Sequence, residues 1–266
     1  MKTPEILTQS TKIFGHKWSI TLRIIPIILV VALLKFVAHW YNWEVMELNA
    51  LFTSLVAGTI FLIGFLITGV LSDYKESEKL PSELAASIKT LMDDTYTVYK
   101  TKNSEKALEF MEYQKELLNL LMDWFYKRTR TQTLLQKISG MNDYFAEFDL
   151  QGVQANYIIK MKNEQNSLRK MVLRIDTIRD TGFVGSAYAI VEIMAIVIAL
   201  GLVSIKIEPF YASLFFTLLV TFLVVYMLLL IKDIDDPFDY AVNGECGTEI
   251  SLKPLNDLCK SVESGQ

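Results

Sequence analysis

Six residues recur at steps of three and four along one apolar stretch of the chain. They alternate small or hydroxylated side chains with two phenylalanines one turn apart: Ser54, Gly58, Phe61, Phe65, Thr68 and Ser72. This spacing places all six on one face of a helix. In a membrane, such a face can pack closely against another helix, because small residues let backbones approach. It can equally line a pore, with hydroxyl rings on either side of an aromatic constriction. The pattern leaves both functions open.

The helix that carries this face is predicted to span a membrane. Residues 49–71 contain no charged side chain, and at about 1.5 Å of rise per residue this length crosses a hydrocarbon core of about 30 Å. The charged residues that begin at Asp73 continue the helical periodicity, so we expect the helix to extend beyond the bilayer. Pro81 suits the first turn of a new helix.

The segment from Ile60 to Pro81, IFLIGFLITGVLSDYKESEKLP, resembles the second helix of the bestrophin family of chloride channels. In that family a Gly-Phe pair lies in an apolar helix that ends in aromatic and charged residues before Leu-Pro. The resemblance implies a pentameric anion channel without a cofactor, whose partners are membrane lipid and small anions such as chloride. It also implies a pore neck made by Ala57, Phe61 and Phe65. The other residues of the face, Ser54, Gly58, Thr68 and Ser72, would then line the rest of the pore.

The composition indicates a membrane protein with separate polar segments. Of 266 residues 52% are hydrophobic, yet 21% are charged, and the mean hydropathy is +0.30. Further spans are predicted at residues 20–40, 183–204 and 210–231, which gives four in total. We therefore expect an all-α polytopic membrane protein with a helical cytoplasmic domain. Small residues on its helix surfaces favour a symmetric oligomer with a central pore.

Charge patterning predicts how the chain is divided. Residues 1–72 hold an N-terminal segment, with a surface helix around Trp18, and the first two spans. Residues 73–182, rich in lysine and arginine, form a cytoplasmic domain of three or four helices, broken near Asn103, residues 129–131 and Gly152. Residues 183–231 hold the last two spans, and residues 232–266 form a cytoplasmic tail. The acidic, aromatic loop 41–47 lies outside, so both termini are cytoplasmic.

Periodic apolar residues predict which faces of the cytoplasmic helices are buried. One stripe comprises Phe110, Leu117, Leu121 and Trp124, and a second comprises Tyr157, Met161, Leu168, Val172 and Ile175.

Lys35 and Glu192 are ionisable residues within predicted spans. Lys35 is near the end of the first span, where we expect it to reach the headgroups, although it could instead attract anions at an outer mouth. Glu192 lies about nine residues into the third span. It could border a water path, pair with a basic residue of a neighbouring helix, or remain protonated because burial raises a carboxyl pKa. If it were charged and in the pore it would repel an anion, so we place it behind the lining.

Other chemistry finds little support in the sequence. No arrangement of nucleophile, base and acid occurs, so an enzyme is not expected, and no metal site is expected from Cys246, Cys259, His16 and His39. Asp236-Pro237-Phe238 resembles a bestrophin motif that precedes calcium-binding acids, but the acids here mostly come before the phenylalanine, which favours a solvated turn. A net charge of −4 argues against nucleic acid.

Two further hypotheses use the same architecture. One is a non-conducting scaffold whose helical domain recruits a partner, and the other is a cation channel or a tension-gated channel. The low cysteine count and the absence of a targeting peptide favour a prokaryotic inner membrane.

Overall fold

A computed structural model describes residues 19–180, 185–240 and 249–264. The expected surface helix around Trp18, His16 and Cys246 lie outside these residues. The described chain divides into two compact units. Residues 19–74 and 185–236 form the first, which we call the membrane unit. Residues 75–180, 237–240 and 249–264 form the second, which we call the helical domain.

The membrane unit contains four long apolar helices and two very short strands. In chain order these are α1 (Ser19–Trp40), β1 (Met46–Glu47), α2 (Ala50–Ser77, whose last three residues belong to the helical domain), α7 (Gly185–Ser204), β2 (Ile205–Lys206) and α8 (Phe210–Asp235). All four helices are long and apolar enough to cross a membrane. The prediction of a four-span, all-α membrane protein is confirmed.

Two apolar clusters hold α2 against its neighbours. The larger one joins α2, α7 and α8 through Ile63, Leu66, Val70, Val191, Val224, Leu228 and Ile231. The smaller one lies near the start of α2 and comprises Phe52, Ile198, Leu202 and Ile205. The buried residues of α2 therefore all lie on one side, and the described residues leave its opposite side exposed.

The two strands pair in parallel, with Met46 opposite Ile205 and Glu47 opposite Lys206. This pairing ties the loop before α2 to the segment after α7. The Asn49 side chain then begins α2, because its Oδ1 accepts a hydrogen bond from the Phe52 amide at 2.9 Å. The helical patterns of the sequence do not predict this strand pairing.

The helical domain contains α3 (Leu80–Lys102), α4 (Glu105–Phe125), α5 (Thr131–Leu150), α6 (Ala155–Asp180) and α9 (Lys253–Glu263). Pro81 lies in the first turn of α3. Asn103 ends α3 with a φ of 48°, and Gly152 turns the chain after α5 with a φ of +68°, a region that favours glycine and asparagine. The predicted helix breaks are confirmed.

The apolar stripes are confirmed with one exception. Phe110, Leu117, Leu121 and Trp124 are buried in α4, as are Met161, Leu168, Val172 and Ile175 in α6. Tyr157, which the same periodicity placed in the core, is 37% exposed. It lies in the first turn of α6, one turn before Met161.

Gly201 permits a close approach between α7 and α2. A Cβ atom at this position would lie 2.3 Å from Cε2 of Phe52, whose ring is already packed in the smaller cluster. We expect Gly201→Ala to lower the free energy of unfolding by about 1–3 kcal/mol, the usual cost of overpacking a core. Thermal unfolding of the purified protein in detergent measures this.

Gly185→Ala is the matched control, because nothing lies within 4 Å of the Cβ it would add at the start of the same helix. It should be neutral or slightly stabilising, since alanine favours a helix over glycine. Equal stability of the two variants would contradict the close packing of Gly201 on Phe52.

A candidate pore-lining face

The structure places every residue of the predicted face on the exposed side of α2. These residues are Ser54, Ala57, Gly58, Phe61, Phe65, Thr68 and Ser72. The two phenylalanines are the most conspicuous, since Phe61 is 74% exposed and Phe65 is 67% exposed. Neither ring contacts another described aromatic ring within the chain. The face is thus available to lipid, to an aqueous path or to a second subunit.

The hydroxyl groups on this face are oriented by their own helix. Ser54 donates to the Ala50 carbonyl and Thr68 donates to the Gly64 carbonyl, both at 2.8 Å. Because each hydroxyl proton is used in this way, the oxygen that remains is mainly an acceptor. In this rotamer the Thr68 hydroxyl proton is used within α2 and is not offered to the exposed side.

Glu192 lies away from this face. It is on α7, about 10 Å along the helix from Gly185 at helical rise, and it forms an ion pair with Lys232 near the end of α8. Both side chains are about half exposed. The sequence left three environments open for Glu192, and the structure shows one of them, the ion pair with a basic residue of a neighbouring helix. The pair neutralises a carboxylate that would be costly in a bilayer.

Lys35 is buried, and the expectation that it reaches the headgroups is wrong. None of its side chain is exposed. Its Nζ donates to the carbonyl oxygens of Ile205 at 2.6 Å, Val203 at 3.2 Å and Leu202 at 3.3 Å, and it pairs with Oε1 of Glu44 at 2.7 Å. Sequence reasoning missed this site because its partners are distant in the chain.

Glu44 is held from both sides in this cluster. Its side chain is 6% exposed, and Nδ1 of His39 lies 2.9 Å from its second carboxylate oxygen. Burial pushes the pKa of Glu44 upward, but the hydrogen bond to His39 and the contact and charge of Lys35 outweigh it, so the pKa lies below its ordinary value. The stabilisation from Glu44 is therefore present at neutral pH and is lost only as the pH falls through this lowered pKa.

Known structures share this fold although the sequences have diverged. No protein-family model matches the sequence, and a comparison with curated proteins gave no match. Among solved structures, a bacterial bestrophin homologue from Klebsiella pneumoniae carrying a point mutation is similar with a TM-score of 0.75 and 15% identity, over 92% of this chain and all of that chain. A second mutant of that homologue gives 0.72 and 16% identity over 91% and 96%.

A crystal structure described as a membrane protein variant is similar to the same degree, with a TM-score of 0.75, 15% identity and coverage of 92% and 99%. At these identities the likeness establishes the fold. The resemblance first noted in the segment Ile60 to Pro81 is thus confirmed across the chain, and the protein is an integral membrane protein with the fold of bestrophin homologues.

Proposed function

We propose that this protein is an ion channel whose conducting path runs along the exposed face of α2. The observation that carries the proposal is that the residues expected to line a pore are all among those that α2 leaves exposed. Lipid could cover such a face, but small side chains and hydroxyl groups beside aromatic rings favour partner subunits or water there. A ring of subunits that encloses these faces supplies both.

In this channel Ala57, Phe61 and Phe65 form the neck. They are one helical turn apart, so each contributes one ring of apolar side chains to a symmetric assembly. Narrow apolar rings exclude water until they widen, which makes them gates. The ions we propose are chloride and other small anions, because weakly hydrated ions give up their water most readily on passing an apolar constriction.

A second candidate, a cation channel, is favoured by two observations. The hydroxyl oxygens of Ser54 and Thr68 face the path as acceptors, because their protons are donated to the helix, and acceptors suit cations. Acidic side chains also follow the face at its far end, where Asp73 and Glu76 are exposed. Glu76, however, is held by Arg174 at 2.7 Å, which offsets part of that negative charge.

The deciding experiment is current through a planar bilayer that holds the purified protein between unequal concentrations of potassium chloride. We expect a reversal potential near the chloride equilibrium value. A value near the potassium equilibrium value would establish the second candidate and reject the first. A folded oligomer that carries no current under any applied voltage or tension would favour the non-conducting scaffold.

We further propose a homo-oligomer, a pentamer on the resemblance, that resides in a prokaryotic inner membrane with both termini in the cytoplasm. The helical domain then faces the cytoplasm. Its basic residues follow the positive-inside rule. Mass measurement of the detergent-solubilised complex tests the subunit number independently of conduction.

A further inference from the structure

The Lys35 cluster joins two regions that are far apart in the sequence, residues 35–44 and residues 202–205. Lys35 lies five residues before the end of α1, Leu202 and Val203 belong to the last turn of α7, and Ile205 begins β2. Glu44 comes from the loop between α1 and β1. One ammonium group therefore ties the end of α1 and the loop after it to the junction of α7 and β2.

The arrangement compensates a charge that would otherwise be very costly. Removing a lysine ammonium from water costs several kcal/mol unless partners replace its hydration. The carbonyls at the end of a helix have no partner within that helix and carry the negative end of its dipole. Lys35 supplies donors to these carbonyls, and Glu44 supplies the opposite charge. Both the charge and the N–H donors of Lys35 therefore have partners within the protein. A lysine that faces the lipid headgroups would not need such partners.

The cluster leads directly to the helix that carries the candidate pore. Glu44 lies two residues before β1, β1 pairs with β2, and α2 begins three residues after β1 ends. Among the described residues no apolar cluster covers the loop itself, in which Trp43, Val45 and Leu48 are exposed. The loop has backbone hydrogen bonds to the end of α1. The ion pair and the two-residue ladder join it to the segment after α7, and His39 of α1, which contacts Glu44, stacks on Phe210 at 4.1 Å.

We propose that Lys35 is a positioning residue, which fixes the Ala50 end of α2 by clamping Glu44 and the β1–β2 ladder to the end of α7. The importance of this for conduction rests on the proposed function, since it assumes that α2 lines the path. The clamp itself does not depend on it. A misplaced start of α2 alters the neck, which lies about two to four turns further along the helix, and the open pore with it.

The test compares Lys35→Met, Glu44→Gln and the double variant, with Lys206→Met as matched control. Lys206 lies in β2, but its side chain is exposed and its ion-pair partner is Glu208, at 3.0 Å; it acts on Glu44 only through its charge. Each single change at the clamp should lower the melting temperature by about 10 °C, because it leaves one charge buried without its partner. The double variant should be no less stable than the less stable single variant, and Lys206→Met should resemble the parent.

The mobility of a nitroxide label near the start of α2 distinguishes a positioning role from simple stabilisation. Loss of a residue that only stabilises the fold would not change this mobility well below the melting temperature. The label is attached at Leu48→Cys, an exposed position between β1 and α2, in full-length protein carrying Cys246→Ser and Cys259→Ser. Well below the melting temperature, we expect the label to become more mobile in Lys35→Met and to remain unchanged in Lys206→Met. If Lys35→Met does not yield folded protein, Glu44→Gln is measured in the same way.

Unchanged label mobility in a destabilised clamp variant would overturn the proposal and reduce Lys35 to a packing residue. Additive losses in the double variant would also overturn it, because Lys35 and Glu44 would then act separately. Single-channel conductance tests the link between the clamp and the pore, and we expect it to differ between Glu44→Gln and the parent protein. If the parent protein carries no current, the proposed function fails, while label mobility and melting temperature still decide the clamp.

Discussion

The double substitution Phe61→Ala with Phe65→Ala is expected to turn the reconstituted protein into a leak, with a resting current roughly tenfold higher or more. Both rings project from the uncovered side of α2, and in a symmetric assembly they would form two successive apolar rings. Alanine widens these rings, so water and ions enter with less dehydration. A permeation barrier lower by about 1.4 kcal/mol is enough for a tenfold change in rate. Bilayer currents at fixed voltage measure it.

The matched control removes two exposed phenylalanines from another spanning helix. Phe215→Ala with Phe216→Ala makes the same change in α8, where both rings are exposed, and it should leave conductance and selectivity as they are. Unchanged current in the Phe61 and Phe65 variant would exclude these residues from the neck. The exposed face of α2 would then serve helix packing, the alternative that the sequence pattern left open.

Local signals were sufficient to predict the four spanning helices, the helices α3 to α6 and the face of α2, but α9 in the tail was not predicted. Pro81, Asn103 and Gly152 act through their own backbone preferences, so each break could be predicted from a single residue and its neighbours. The face that holds Phe61 and Phe65 follows from a period of 3.6 residues. Such patterns say which side chains point together, but they do not say what covers them.

Contacts between distant segments could not be predicted in this way. Lys35 meets Leu202 across a separation of 167 residues, and nothing in its neighbourhood distinguishes a clamped lysine from one that reaches the headgroups. A ladder of two residue pairs is too short to leave a period-2 pattern. The hydroxyl of Thr68 is a similar case, because one rotamer decides whether it donates to its own helix or to an ion.

A substitution in the tail after α8 is expected to cause a large loss of stability in the helical domain. Phe238 is fully buried, so the expected solvated turn is wrong at this residue. Its ring lies 6.1 Å from that of Phe125, and the guanidinium of Arg179 lies 5.9 Å above it. Arg179 also covers the ring of Trp124 at 4.4 Å and donates to the Phe125 carbonyl at 3.0 Å. The residues that follow α8 are thereby built into the core of the helical domain.

Phe238→Ala should therefore lower the free energy of unfolding by about 3–5 kcal/mol, because it leaves a cavity beside Phe125 and removes one of the rings under Arg179. Chemical denaturation followed by tryptophan fluorescence measures this, since Trp124 lies in the same cluster.

Tyr157→Ala is the control, an aromatic truncation at an exposed position of the same domain, and it should change stability by no more than about 0.5 kcal/mol. The exposed pair of Lys127 and Asp239 at 2.5 Å contributes at most about 1 kcal/mol, so Lys127→Met serves as a second comparison. If it cost as much as Phe238→Ala, the tail would be held by charge at the surface and not by its buried ring.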